Sequence, residues 1–205
     1  DVGCGWGCFK NYLPDVTYLG LEFSQSSIKK CQEKNIPVTS ETIQSFAKKP
    51  QKFSIVTAFQ VIEHIENPLE FFEALKEATA EGGLIIVSVP NMDSNVVIDN
   101  SHLNIPPHHI SWWSKEAMLY LGRKLNLELV DIHIAKSPCL RTFFSILGQW
   151  KLNLILGRKQ KLISNSIIDR ISFRLFSQIG KFFKNPPKEL LPNGHSLTVV
   201  YKKRN

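Results

Sequence analysis

The stretch Asp1-Val2-Gly3-Cys4-Gly5-Trp6-Gly7 constrains this chain more than any other. An acid and a β-branched residue lead into three glycines at alternate positions, which predicts a strand end running into a tight turn. Glycine tolerates positive φ and lets a ligand approach the backbone to van der Waals contact. At the carboxyl end of a parallel strand, such a turn is where open α/β sheets bind nucleotide-like ligands. The dinucleotide fingerprint G-x-G-x-x-G does not fit. Counted from Gly3 and Gly5 it needs glycine where Cys8 stands, and Gly7 comes one residue early.

The rest of the chain alternates strand and helix signals. Residues 9–13 start a short helix that Pro14 cuts off, and 16–21 form a β-rich run ending at Glu22. Ser24 or Ser26 caps a helix reaching about Asn35, and a weaker strand follows near 38–43. Residues 53–59 read as a buried strand. Asn67-Pro68 is a helix start and Gly82-Gly83 a helix stop. The continuous apolar run 84–89, closed by Pro90, predicts a strand covered on both faces. Ser114 caps a helix to about Leu125, 127–135 alternates as a strand, and Pro192-Asn193-Gly194 turns into a last strand, 197–201. This alternation predicts an α/β fold: a Rossmann-like doubly wound sheet, mostly parallel with an antiparallel last strand, plus a helical insertion before that strand. The expected division is a cofactor-binding core at 1–136, a basic insertion or lid at 137–191, and a core-completing strand at 192–205.

Composition narrows the setting. With 205 residues, 43% of them hydrophobic, the chain can bury one substantial core. No secretory signal pattern or long apolar run is present, so neither export nor a spanning helix is expected. Cys4, Cys8, Cys31 and Cys139 form no C-x-x-C pair and do not cluster with histidines. No disulfide framework or metal site is therefore expected, and a reducing cytoplasmic setting is.

Two further stretches bear on function. Glu22 closes the second strand, where an acid can accept hydrogen bonds from both hydroxyls of a ribose. Phe59-Gln60-Val61-Ile62-Glu63-His64-Ile65 follows the fourth strand of the expected sheet, before Asn67-Pro68 and the 82–91 strand. Together with the glycine turn, these residues resemble the class I S-adenosylmethionine-dependent methyltransferases. The likeness is to the small-molecule, ubiquinone-biosynthesis type, and it extends to about Lys136. It implies S-adenosyl-L-methionine as cofactor and an N-terminally truncated sequence, because the strand leading into the turn is reduced to its last two residues. It places Asp1, Gly3, Cys4 and Gly5 at the cofactor turn, Glu22 at the ribose and Phe23 beside the adenine. Phe59 and Gln60 then face the methionine end. The adenine amine falls near Thr42 and Ile43, although the family's usual Gly-Asp reads Ser40-Glu41 here. A plain strand terminus is the competing reading there.

Methyl transfer from a sulfonium needs an aligned acceptor and a group to take its proton. The stretch Pro106-Pro107-His108-His109-Ile110-Ser111-Trp112-Trp113 lies on the expected acceptor side. His109 is the first candidate base, His108 the second and His102 the third, since an unperturbed imidazole titrates at about 6.5. The competing reading is a loop fixed by histidine, proline and tryptophan packing. Glu63 and His64 are candidates for orienting the loop or substrate.

Charge is unevenly distributed. Residues 1–135 carry 11 basic and 16 acidic side chains, whereas 136–188 carry 11 basic and one acidic. Within the second segment Ile168, Ile171, Leu175, Ile179 and Phe182 recur at helical spacing, with arginines and lysines on other faces. A lid over the acceptor site, peripheral membrane contact and an anionic-polymer surface are all open. Nucleic acid is the least favoured, for want of a recognised motif. The acceptor implied is a small molecule, or a lipid- or glycan-linked one, offering a hydroxyl or an amine. A non-catalytic membrane- or partner-binding module on the same fold is the alternative.

Overall fold

The computed structural model describes residues 1–94, 106–136 and 193–204. The basic insertion, its expected amphipathic helix at 167–183 and His102 lie outside them. Two compact units are distinguished. The first comprises Asp1–Val89, Lys115–His133 and Thr198–Asn205; the second comprises Pro90–Ser114 and Ile134–Leu197.

Among the described residues the sheet is built on six strands: β1 (Gly20–Leu21), β2 (Val38–Thr39), β3 (Phe53–Phe59), β4 (Thr79–Pro90), β5 (Leu127–Lys136) and β6 (Asn193–Lys203). β1 pairs in parallel with β2, and β3 with β4. Val2 makes parallel bridges to both Leu21 and Ala58, so the residue before the glycine turn joins the two parts of the sheet. The last strand, β6, lies between β4 and β5. This mixed, mostly parallel order is the expected Rossmann-like one.

Among the described residues four α-helices connect the strands: α1 (Gln25–Glu33), α2 (Ile43–Ala47), α3 (Pro68–Ala78) and α4 (Lys115–Lys124). Asn67 caps α3 by accepting from the Glu70 amide at 3.3 Å, with Pro68 at the first turn, as the sequence requires. Every residue from Leu84 to Pro90 is buried or half-buried, in keeping with a strand covered on both faces. Tyr201 of β6 packs edge-on against Phe72 of α3, and its buried hydroxyl donates to the Met118 carbonyl at 2.6 Å.

Several expected boundaries move, each for a local reason. The Gly82-Gly83 stop is overturned. Thr79 ends α3 by donating its hydroxyl to the Leu75 carbonyl at 2.7 Å, and the chain becomes extended at once. The glycines then fall inside β4. Phe53 pairs with Thr79 and Ile55 with Leu84, so two steps on β3 face five on β4, and Gly82 at φ 70° absorbs the excess. The strand expected from residue 16 begins only at Gly20, because the Lys10 ammonium gathers the carbonyls of Leu13, Pro14 and Val16 into a turn. The helix expected at 9–13 is a single 3-10 stretch, Cys8–Tyr12. The strand expected to reach Ile43 stops at Thr39, because Thr42 turns the chain into α2. At the other end, Asn193 and Gly194 belong to β6 instead of a turn.

Candidate cofactor and active site

The glycine turn is held by two acids in different ways. Asp1 is a strut: its Oδ2 accepts from the Tyr18 hydroxyl at 2.7 Å and its Oδ1 from the Thr57 hydroxyl at 2.8 Å. Tyr18 and Thr57 were legible only as strand residues, since nothing in their spacing announces an anchor. Glu22 organises the turn itself. Its Oε2 accepts from the Gly5 amide at 2.8 Å, and its Oε1 accepts from the Phe23 and Ser24 amides, both at 2.8 Å. A carboxylate offers about four lone-pair positions, so three amides leave it acceptor capacity for a further donor.

The glycines divide their tasks. Gly3, at φ 68°, has no room for a side chain, because a Cβ there would fall 2.5 Å from Val61 Cγ2. Gly5, at φ 54°, faces open space: a Cβ there would meet nothing within 4 Å. One glycine therefore lets two turns pack together, and the other leaves a cradle beside an amide that Glu22 already orients. The Gly5 carbonyl is fixed too, by the thiols of Cys31 at 3.3 Å and Cys4 at 3.7 Å. Burial pushes the Cys4 thiol up to about 11, as suits a packing group.

Phe23 follows Glu22 with 64% of its surface exposed among the described residues. The Thr42 hydroxyl accepts from the Ser45 amide at 3.0 Å as the cap of α2, and Ile43 is buried. Glu41 pairs with Lys49 at 2.6 Å, and the hydrogen bond from that ammonium holds its carboxyl below the ordinary range. Phe59 packs edge-on against Phe9 at 5.0 Å. Gln60 takes φ 56°, gives its amide to the Ser88 carbonyl at 2.8 Å, and donates from Nε2 to the Ser88 hydroxyl at 3.2 Å. Ser88, missed in the sequence, holds the end of β3 to β4.

The next turn, Ile62–His64, buries Ile62 and Glu63 and leaves His64 exposed. Burial pushes the Glu63 carboxyl up, against the opposing pull of its own backbone amide and of His64. All these residues belong to the first unit.

His108 and His109 belong to the second unit. There Asn91 bridges Trp113 in parallel, the Met92 amide donates to the Trp113 carbonyl at 3.1 Å, and the Trp113 indole donates to the Ser111 hydroxyl at 3.0 Å. The loop carrying the histidines is thus closed by tryptophan contacts, with His108 exposed and His109 half-buried.

Comparison with known proteins decides the family. Residues 1–132, more than half of the chain, match the family model described as "Methyltransferase domain". This chain belongs to the methyltransferase domain family. The methyltransferase is 36% identical over 100 residues to a ubiquinone biosynthesis O-methyltransferase of Photorhabdus laumondii, a match covering 44% of this chain and 42% of that protein. It is 31% identical over 101 residues to the mitochondrial ubiquinone biosynthesis O-methyltransferase of Arabidopsis thaliana, covering 44% and 31%. The matched stretches thus take up less than half the length of these relatives. A SAM-dependent methyltransferase structure from Archaeoglobus fulgidus superimposes with a TM-score of 0.64 at 19% identity, covering 99% of this chain and 84% of that one. The [4+2]-cyclase SpnF superimposes at 0.61 with 15% identity, covering 100% and 74%. Likeness at such identities shows the fold, and a cyclase among the neighbours means that the reaction must be argued from the site.

Proposed function

We propose that this methyltransferase binds S-adenosyl-L-methionine at the glycine turn and transfers its methyl group to a hydroxyl oxygen of a small molecule. The observation that carries the cofactor reading is the Glu22 carboxylate, which ties the Gly5, Phe23 and Ser24 amides around an open cradle. Its remaining acceptor position suits a ribose hydroxyl, and the exposed Phe23 ring suits an adenine. Gln60, pinned to Ser88, closes the methionine end. When bound, the cofactor supplies a methyl group on a sulfonium, already a good leaving group. The protein's work is therefore alignment, exclusion of water and removal of the acceptor's proton.

Support for oxygen as the acceptor comes from the O-methyltransferase relatives. A proton acceptor is then required, and His109, with His108 second, is the candidate taken from the sequence. The basic segment at 136–188 supports peripheral contact with an anionic membrane surface, which suits a lipid-linked acceptor. Among the described residues no helix is long and apolar enough to cross a membrane.

The test is calorimetry with S-adenosyl-L-methionine. Binding at millimolar concentration or tighter is expected for the wild type, and loss of it for Glu22→Ala. No binding by the wild type, or equal binding by the variant, sinks the cofactor assignment.

A further inference from the structure

The strand β5 stands at one end of the order β3-β4-β6-β5. It has β6 on one side and, among the described residues, no strand on the other. Its residues from Glu128 to Asp131 are exposed one after another, with 43% of Leu129 and 53% of Val130 open to solvent. Neighbouring strand residues point to opposite faces, so exposure of both opens both faces of this stretch. An edge of this kind presents a row of backbone amides and carbonyls to any strand that can align with them.

The amide in the middle of the strand shows which residues point outward. The Ile132 amide donates to Oδ1 of Asp131 at 2.8 Å, so it is turned away from the ladder with β6 and capped by its own neighbour. In an antiparallel ladder alternate residues direct both of their backbone groups to the same side. Val130 and Ile134 therefore share the open side with Ile132.

About Ile132 the sequence is complementary to itself read backwards. Laid antiparallel against a second copy with Ile132 opposite Ile132, the strand sets Asp131 opposite His133, Val130 opposite Ile134 and Leu129 opposite Ala135. Each acid meets an imidazole and each apolar residue meets an apolar one, which are the cross-strand pairs that favour a sheet. Moving the centre to residue 131 would set two aspartates against each other, so the sequence selects one register.

We propose that β5 is a self-association surface, which pairs antiparallel with β5 of a second copy of this chain about Ile132. On pairing, the Ile132 amide passes from Asp131 to the Ile132 carbonyl of the second copy. The released carboxylate takes the ring N–H of His133 of the second copy, a residue exposed in the single chain. The outward residues Val130, Ile132 and Ile134 then exchange about six backbone hydrogen bonds across the twofold axis. A lone strand pair is smaller than a standard interface, so the dimer is a reversible one, with a dissociation constant on the order of 10 μM.

The experiment is sedimentation equilibrium of the full chain at concentrations on both sides of that constant, with amide hydrogen exchange read beside it. The wild type is expected to rise from the mass of one chain to twice that mass, and the Val130, Ile132 and Ile134 amides to gain protection as it does. His133→Asp sets an acid opposite Asp131 and should weaken association about tenfold or more. Adding Asp131→Lys to His133→Asp restores opposite charges and should bring association back to within about threefold of wild type. Val130→Pro removes an outward amide without touching the ladder to β6, and should leave the chain a monomer that melts as the wild-type monomer does. A wild type of single mass at every concentration overturns the proposal. So does a dimer whose three outward amides exchange at the monomer rate, a result that needs no variant to fold. A dimer that survives both Val130→Pro and His133→Asp forms elsewhere and overturns it as well.

Discussion

Two turns at the carboxyl ends of neighbouring strands are built on opposite principles. In the glycine turn both acids are partnered: Asp1 takes two hydroxyls and Glu22 three amides. In the turn after β3 the acid is buried deeper, yet neither of its oxygens has a partner among the described residues. A site that must only hold a ligand gains from being finished before the ligand arrives, since nothing then has to be ordered on binding. A group that must respond to a proton gains from being left unpaired. The comparison separates a satisfied acid from an unsatisfied one on one sheet edge.

The largest effect that could break this comparison belongs to Glu22. Glu22→Ala removes one carboxylate and releases three backbone amides. The expected loss in S-adenosyl-L-methionine affinity is about 100-fold, on the order of 3 kcal/mol, with charge-assisted hydrogen bonds at about 1.5–3 kcal/mol each as the guide. Calorimetry reads it. A loss below tenfold would mean that the turn holds its shape without the acid.

Next comes the contact between the two turns. Gly3→Ala places a methyl group against Val61 in a backbone conformation that alanine rarely adopts. The expected cost is about 2–4 kcal/mol of stability, combining positive-φ strain with overpacking. Urea unfolding measures it. A companion Val61→Ala change should relieve part of the cost, and strict additivity of the two would show that the turns do not meet there.

How far this design was legible in the sequence follows from the range of the forces involved. β3 and the start of α3 were legible because hydrophobic runs and the Asn67-Pro68 cap act within a few residues. Glu22 was legible because its distance from the glycine turn is set by one strand–turn–strand unit. Asp1's partners were not, because Thr57 stands 56 residues away and only the sheet brings it close. The early start of β4 was missed because two glycines promised a helix stop. A threonine hydroxyl supplied the cap instead, and a bulge made use of the glycines. Glu63 was visible as a motif residue, but its isolation is a property of packing, which no local pattern encodes.

A smaller effect concerns the adenine end. Thr42 was expected near the adenine, and in the structure its hydroxyl also caps α2. Thr42→Ala should cost about 1 kcal/mol of stability, the usual value of a lost cap, and leave cofactor affinity unchanged. A drop in affinity beyond about threefold would place Thr42 at the binding surface in addition to its cap.

The smallest effect is a slope with pH, and it tests the unpaired acid directly. Burial raises the Glu63 carboxyl in the folded state, against its own amide and His64, which both pull it down. The folded protein therefore holds this proton more tightly than the unfolded chain, whose glutamate titrates near about 4.3. The stability this contributes is fully present below about 4.3 and is lost as pH rises through the folded value. Glu63→Gln has no such proton. The stability of wild type minus that of Glu63→Gln, from urea midpoints at a series of pH values, should fall as pH rises from acid to neutral. A difference that rises instead would mean that Glu63 is ionised and paired in solution. The two turns would then be satisfied alike, and the contrast between a partnered acid and an unpartnered one would collapse.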